Sequence, residues 1–195
     1  KDAVTMTFNA GEGIFADNSK EKIESVRPGQ QNPLPAAPSR DGYTFDGWAS
    51  GNADYPDLAK DITQTPVAVD GKNGSYTAKW IAKTYTIHFD ANGQQDAQGT
   101  VNDQSYVYDT LNARLTTDVF TSPTHKMLGW GLHANGAATY PSGGHITDAL
   151  KAAMVRSTDG KVTLYAIWAK KDAVTMTFNA GEGIFADNSK EKIES

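Results

Sequence analysis

Residues Val4–Gly11 read VTMTFNAG, and residues Tyr85–Gly93 read YTIHFDANG. In both, β-branched and aromatic residues recur at a spacing of two, the pattern of a strand with one buried face. Val4, Met6 and Phe8 make one such face, and Tyr85, Ile87 and Phe89 make its counterpart. The Asn-Ala-Gly and Asp-Ala-Asn-Gly that follow tolerate positive φ, so each strand turns at its end. Further strands are expected at YTFDGW, KMLGW, YTAKW and VTLYAIW.

The four tryptophans extend this pairing. Trp48 stands in GYTFDGW and Trp130 in HKMLGW; Trp80 ends SYTAKW and Trp168 ends VTLYAIW. Between each pair lies Tyr-Pro followed by Ile-Thr, at Tyr55–Thr63 and Tyr140–Thr147. The shared order divides the chain into a first module over 1–81 and a second over 82–170. Phe8, Trp48 and Trp80, with Phe89, Trp130 and Trp168, are expected to anchor the two cores. A third module begins at 171, because residues 171–195 repeat residues 1–25 without one substitution. Folding does not demand such identity at surface positions such as Asn18 and Lys20, so it points to tandem duplication with a period of 170 residues. The chain therefore reads as a slice of a longer array.

The expected class is mainly β with short helices. One helix is predicted, where Ile146, Ala149, Leu150, Ala153 and Met154 form an apolar stripe behind Thr147 as N-cap. The matching part of the first module is broken by Pro66, and no helix is expected there. PGQQNPLPAAPSRDG is too rich in proline for an internal strand or a long helix and should be an extended crossing or a very short helix. Only IAKT joins Trp80 to Tyr85, and only AKKDA joins Trp168 to Val174. Flexible linkers need Gly/Ser composition that these lack, so modules stacked end to end are expected. A segment of 25 residues cannot bury a core, since even a domain of roughly 60 residues is marginal. The strand Val174–Phe178 is therefore expected to add to a sheet edge, of the second module or of another molecule.

These motifs resemble the Listeria–Bacteroides repeat, the internalin-type B repeat of bacterial surface proteins. The family pattern runs through a strand ending FDANGG, then PTREGYTFxGW, then a strand ending LYAKW. The first module carries FNAGEG, APSRDGYTFDGW and YTAKW; the second carries FDANGQ, SPTHKMLGW and LYAIW. Asn9 departs from the usual Asp, the second module lacks GYTF, and both modules carry longer insertions. Mucin-binding repeats are broadly similar in size and context. The resemblance implies tandem β-grasp-like modules, extracellular on a bacterial, Gram-positive-type cell wall.

Composition excludes several functions. A net charge of −5 argues against a nucleic-acid partner. There is no cysteine, hence no disulfide or thiolate metal site. No apolar run approaches the roughly 18 residues of a membrane span. DANGQQD at Asp90–Asp96 lacks the closing Glu of a calcium loop, and His125, His133 and His145 match no zinc spacing. No nucleophile motif is present, so no enzyme, metal or cofactor is expected. Lys79 alternates with Trp80 and should point outward, which disfavours an internal Lys–Asn cross-link. Tyr55 and Tyr140, each before proline, are the candidates for exposed rings that stack on a sugar. Two functions follow as expectations: a stalk whose repeats partner one another and project an adhesive domain, or repeats that themselves bind a host glycan or matrix protein by avidity.

Overall fold

The computed structural model describes residues 1–172, 176–187, 189 and 191–194. Ten strands and one helix follow in order among them: β1 (Val4–Asn9), β2 (Glu21–Val26), β3 (Tyr43–Ser50), β4 (Gly74–Ala82), β5 (Thr84–Asp90), β6 (Gln104–Val107), β7 (His125–Gly131), α1 (Asp148–Arg156), β8 (Lys161–Lys170), β9 (Met176–Asn179) and β10 (Glu191–Glu194). The protein is mainly β with one short helix.

The first sheet has the order β2-β1-β4-β3 and the second β6-β5-β8-β7. The strand that opens each repeat therefore lies beside the strand that closes it. In the first sheet β1 pairs antiparallel with β2 and parallel with β4, while β3 and β4 are antiparallel. The alternation read from VTMTF is the burial pattern of β1: Val4, Met6 and Phe8 are inside, and Thr5 and Thr7 are only half-buried. Their core continues through Phe15, Val26, Trp48, Tyr55, Leu58 and Tyr76. Strand β5 alternates in the same way, with Tyr85, Ile87 and Phe89 buried.

By contacts the chain divides into two compact units. One comprises residues 1–87, 104–113 and 146–162; the other comprises 88–103, 114–145 and 163–195. The first contains the β1–β4 sheet and α1. The helix starts where expected: the Thr147 hydroxyl accepts from the Leu150 N–H, and Leu150 and Met154 are its buried residues. Asp148 in the first turn and Arg156 in the last complement the helix dipole. The proline-rich crossing of the first repeat forms neither helix nor strand and is tied by Leu34 N–H to the Thr63 carbonyl and by Asn32 N–H to the buried Thr65 hydroxyl, both 2.9 Å.

Three strands have no counterpart among the sequence expectations, β2, β6 and β10, the last being the repeat of β2. Strand β2, EKIESV, is a sheet edge whose Ile23 is exposed. Charge on an edge hides the apolar alternation but guards against edge pairing. Strand β6, QSYV, is only four residues long.

The repeated segment at the C-terminal end bears on one half of a further expectation, that its strand adds to an edge of the second module. Val174, where the added strand was expected to begin, lies outside the described residues. Met176–Asn179 pairs with Glu191–Glu194 in a two-stranded sheet of its own and extends neither four-stranded sheet.

Candidate functional site: the aromatic motif and the repeat junctions

The Gly-Trp motif is a bulge. The register of β3 on β4 shifts between Phe45 and Trp48, which turns Trp48 inward. Gly47 has φ +101°, and a Cβ there would lie 2.2 Å from the Leu58 carbonyl oxygen. That carbonyl accepts from Trp48 N–H at 2.8 Å, and Leu58 N–H donates back to the Trp48 carbonyl at 2.9 Å. Only glycine allows this approach. The second repeat builds the same bridge between Trp130 and Tyr140, at 2.8 and 2.9 Å.

The motif aromatics sit at different depths. Phe8, Trp48 and Trp130 are essentially fully buried, and Phe89 nearly so. Phe8 stacks on Tyr76 with ring centroids 5.0 Å apart and meets Trp48 edge-on at 5.2 Å; Phe89 meets Trp130 at 4.8 Å. Trp80 and Trp168 are half-buried. Their indole N–H groups donate to the carbonyls of Ala10 at 3.3 Å and Ala91 at 2.9 Å, pinning the turn after the opening strand of each repeat.

Tyr55 and Tyr140 require a correction. The expected exposure is absent: they are 5% and 4% exposed. The Tyr55 hydroxyl donates to the Lys72 carbonyl at 2.7 Å and accepts from Val69 N–H at 3.1 Å, so its polar tip is used up inside the fold. Tyr140 is held by its backbone bridge to Trp130. The two Tyr-Pro pairs are also not equivalent in space, because the partner of the Gly-Trp residue is Tyr140 in one repeat and Leu58, three residues beyond Tyr55, in the other. Neither ring offers a face for a sugar.

The junction residues carry the more informative geometry. A single residue, Lys83, separates β4 from β5. Its N–H donates to the Gly42 carbonyl at 2.8 Å, and its carbonyl accepts from Tyr108 N–H at 3.0 Å. The Tyr108 ring meets Tyr43 edge-on at 5.6 Å and Tyr85 at 6.1 Å, and the Arg40 guanidinium lies 3.7 Å over Tyr43. Burial first, and then neighbouring tyrosines and carboxylates, push the hydroxyls of Tyr85, Tyr106 and Tyr108 above the usual phenol range. All these groups belong to the first compact unit. Beside them a shallow depression of about 410 Å³ is lined by Asp41, Tyr108, Asp148, Lys151 and Arg156. It mixes both signs of charge on an open surface.

Lys171 occupies the same place after Trp168 that Lys83 occupies after Trp80. Its N–H donates to the Thr124 carbonyl at 2.9 Å, and its ammonium donates to the carbonyls of Ser122 at 2.7 Å and Pro123 at 3.3 Å. The segment it grips is braced in turn. Asp96 accepts from the hydroxyls of Thr124 and Ser122 and from the Gln94 amide. These bonds, that of Thr124 foremost, hold its carboxyl well below the usual range. Sequence reasoning treated both lysines as linker. The signal that marks them is position, three residues after the closing tryptophan of each repeat.

Among the described residues no group of three or more His, Asp or Glu is placed to hold a metal ion. Lys79 makes an ion pair with Asp57 at 3.4 Å. The Asp57 carboxyl is held below its ordinary value first by the Ser50 N–H and then by Lys79.

The fold and the junctions define a class: two mainly-β repeats in tandem, each opening on a strand laid beside its closing one. The pattern of the Listeria-Bacteroides repeat domain matches residues 5–67 and again 85–167. The chain belongs to the Listeria-Bacteroides repeat family, which is typical of surface proteins. It is also 23% identical over 140 residues to a protein of Evansella cellulosilytica provisionally named a membrane protein; the match takes in 71% of this chain and 19% of that protein. The chain thus spans about a fifth of that relative. No helix among the described residues is long and apolar enough to cross a membrane.

Proposed function

We propose that this chain is a spacer segment of an extracellular bacterial surface protein, with β-grasp-like repeats stacked end to end. The observation that carries the reading is Lys83. A one-residue connector with both its N–H and its carbonyl engaged by neighbouring backbone has little freedom to swivel. Lys171 repeats the first of those bonds and adds a side-chain grip. In an array, such joints convert copy number into length, which is what projecting an adhesive domain from a cell wall requires. Direct adhesion through stacked tyrosines loses its support with the burial of Tyr55 and Tyr140. The reading invokes no catalysis.

The test is small-angle X-ray scattering on proteins with one, two and three copies of the 170-residue period. The maximum dimension should rise in equal steps. A bent or collapsed ensemble that grows more slowly than copy number would overturn the spacer.

A further inference from the structure

Three Asn-Gly pairs occur in the sequence: Asn73-Gly74, Asn92-Gly93 and Asn135-Gly136. Such a pair is the least hindered setting for attack of a backbone nitrogen on the preceding side-chain amide, because glycine brings no Cβ. The fold holds the first two still. The Asn73 side-chain oxygen accepts from the Thr5 N–H at 2.9 Å, and the Asn73 carbonyl accepts from the Asn52 amide at 2.8 Å. Gly74 is buried in β4, opposite Met6. The Asn92 amide nitrogen donates to the carbonyls of Ala134 at 2.7 Å and Ala166 at 2.9 Å, and the Asn92 N–H donates to the Asp90 carboxylate at 2.6 Å. Asn135 differs. It is exposed, and among the described residues none is hydrogen-bonded to its side chain. The Gly136 N–H makes one bond, to the His133 carbonyl at 2.9 Å, across a surface turn. A single exposed turn bond opens at little cost.

We propose that Asn135 is a site of spontaneous deamidation, and that the fold confines the reaction to it. The Gly136 nitrogen loses its proton and attacks the Asn135 Cγ. A new C–N bond closes a succinimide ring, the bond from Cγ to the amide nitrogen breaks, and that nitrogen leaves with the proton as ammonia. Water then opens the ring at either carbonyl and leaves aspartate or isoaspartate. Nothing is oxidised or reduced, and water is the one co-reactant. Either product adds a negative charge to the surface. Isoaspartate also routes the backbone through Cβ, which lengthens a turn that Asn92 grips at the Ala134 carbonyl. That turn leads to Thr139 and Tyr140, whose N–H groups donate to the Trp130 carbonyl, both at 2.9 Å. The modification therefore strains the Gly-Trp bridge of the second repeat and leaves Asn73 and Asn92 intact. In a tandem array it recurs once in each 170-residue period.

The test is peptide mass spectrometry on the whole chain after incubation in mildly alkaline buffer, once folded and once in urea. Isoaspartate is read in parallel by enzymatic methylation of its free carboxylate. In urea the three pairs should convert at similar rates, because each is an unhindered Asn-Gly. In the folded chain Asn135 should convert at least about tenfold faster than Asn73 or Asn92, a gap equivalent to about 1.4 kcal/mol of protection. Equal rates in the folded chain, or a faster Asn73 or Asn92, would overturn the proposal. Asn135→Gln, which keeps an amide at this exposed position, should remove most of the isoaspartate signal and leave the circular dichroism unchanged. A signal that persists at full strength in that variant would equally overturn it.

Discussion

Asp17 and Asp187 hold the same position in two copies of one segment, and their surroundings match closely. Each accepts from the hydroxyl of the serine two residues on, at 2.7 and 2.6 Å, and from its N–H, at 3.2 and 3.1 Å. Each pairs with the lysine five residues on, Lys22 or Lys192. That lysine lies 5.7 Å from the centre of the Phe15 ring in one copy and 5.5 Å from Phe185 in the other. Asn9 and Asn179 cap the turn N–H of Gly11 and Gly181 at 2.7 and 2.8 Å. On the apolar face of the opening strand the resemblance ends. Met6 and Phe8 are fully buried, Phe8 against Tyr76 and Trp48, while Met176 and Phe178 are exposed. Twenty-five residues thus suffice for the hairpin, its register and its turns, but not for a core.

The sharpest way to break this comparison is to remove one aromatic ring from each copy. Phe8→Ala deletes a ring packed on Tyr76 and Trp48 and should cost about 3–5 kcal/mol. Phe178→Ala should stay within about 0.5 kcal/mol, as at other exposed positions. Equilibrium denaturation in dilute protein, followed by tryptophan fluorescence, reads both. Equal losses would mean that the C-terminal face is covered too.

A smaller contrast is steric. A Cβ at Gly13 would sit 2.4 Å from the Trp80 ring and 2.7 Å from the Ser39 carbonyl oxygen, whereas one at Gly183 would meet nothing closer than the Ala180 carbonyl oxygen at 3.2 Å. Gly13→Ala should therefore destabilise by about 1–3 kcal/mol, the usual cost of overpacking. Gly183→Ala should leave the melting temperature nearly unchanged. A silent Gly13→Ala would show that the turn can move off Trp80 at little cost.

The smallest effect should be shared by both copies. Lys22 and then Ser19 hold the Asp17 carboxyl below its ordinary value; Ser189 and then Lys192 do the same for Asp187. A carboxyl depressed in the folded state adds stability above its unfolded value, about 3.9. That contribution is lost as pH falls from there through the folded value. Carboxyl NMR titration should find both aspartates ionised below pH 3.9, with only a slight acid destabilisation because both are exposed. An ordinary value at Asp187 alone would mean that even the turn depends on the rest of the repeat.

Much of the architecture was legible because it is written at short range. The alternation in VTMTF and YTIHF, the Thr147 cap with the Leu150 and Met154 stripe, and the proline-rich crossing each rest on neighbours within a few residues. Strands β2 and β6 were not legible, since a charged edge and a four-residue strand leave almost no periodic signal. The tyrosines misled for a different reason. A following proline constrains the backbone but not where the ring goes, and Tyr55 went inward to satisfy the Val69 N–H and the Lys72 carbonyl. Lys83 and Lys171 were visible as short connectors, yet their backbone bonds to Gly42 and Thr124 join residues far apart in sequence.

From the sequence alone come the repeats, the β class and the one helix. Tertiary structure alone decided which apolar faces are covered and which connectors are held. The physical reason is range. Turns, caps and strand alternation are settled by bonds between near neighbours, which travel with the segment wherever it is placed. Burial is settled by what arrives from elsewhere in the chain, as Trp48 and Tyr76 do against Phe8.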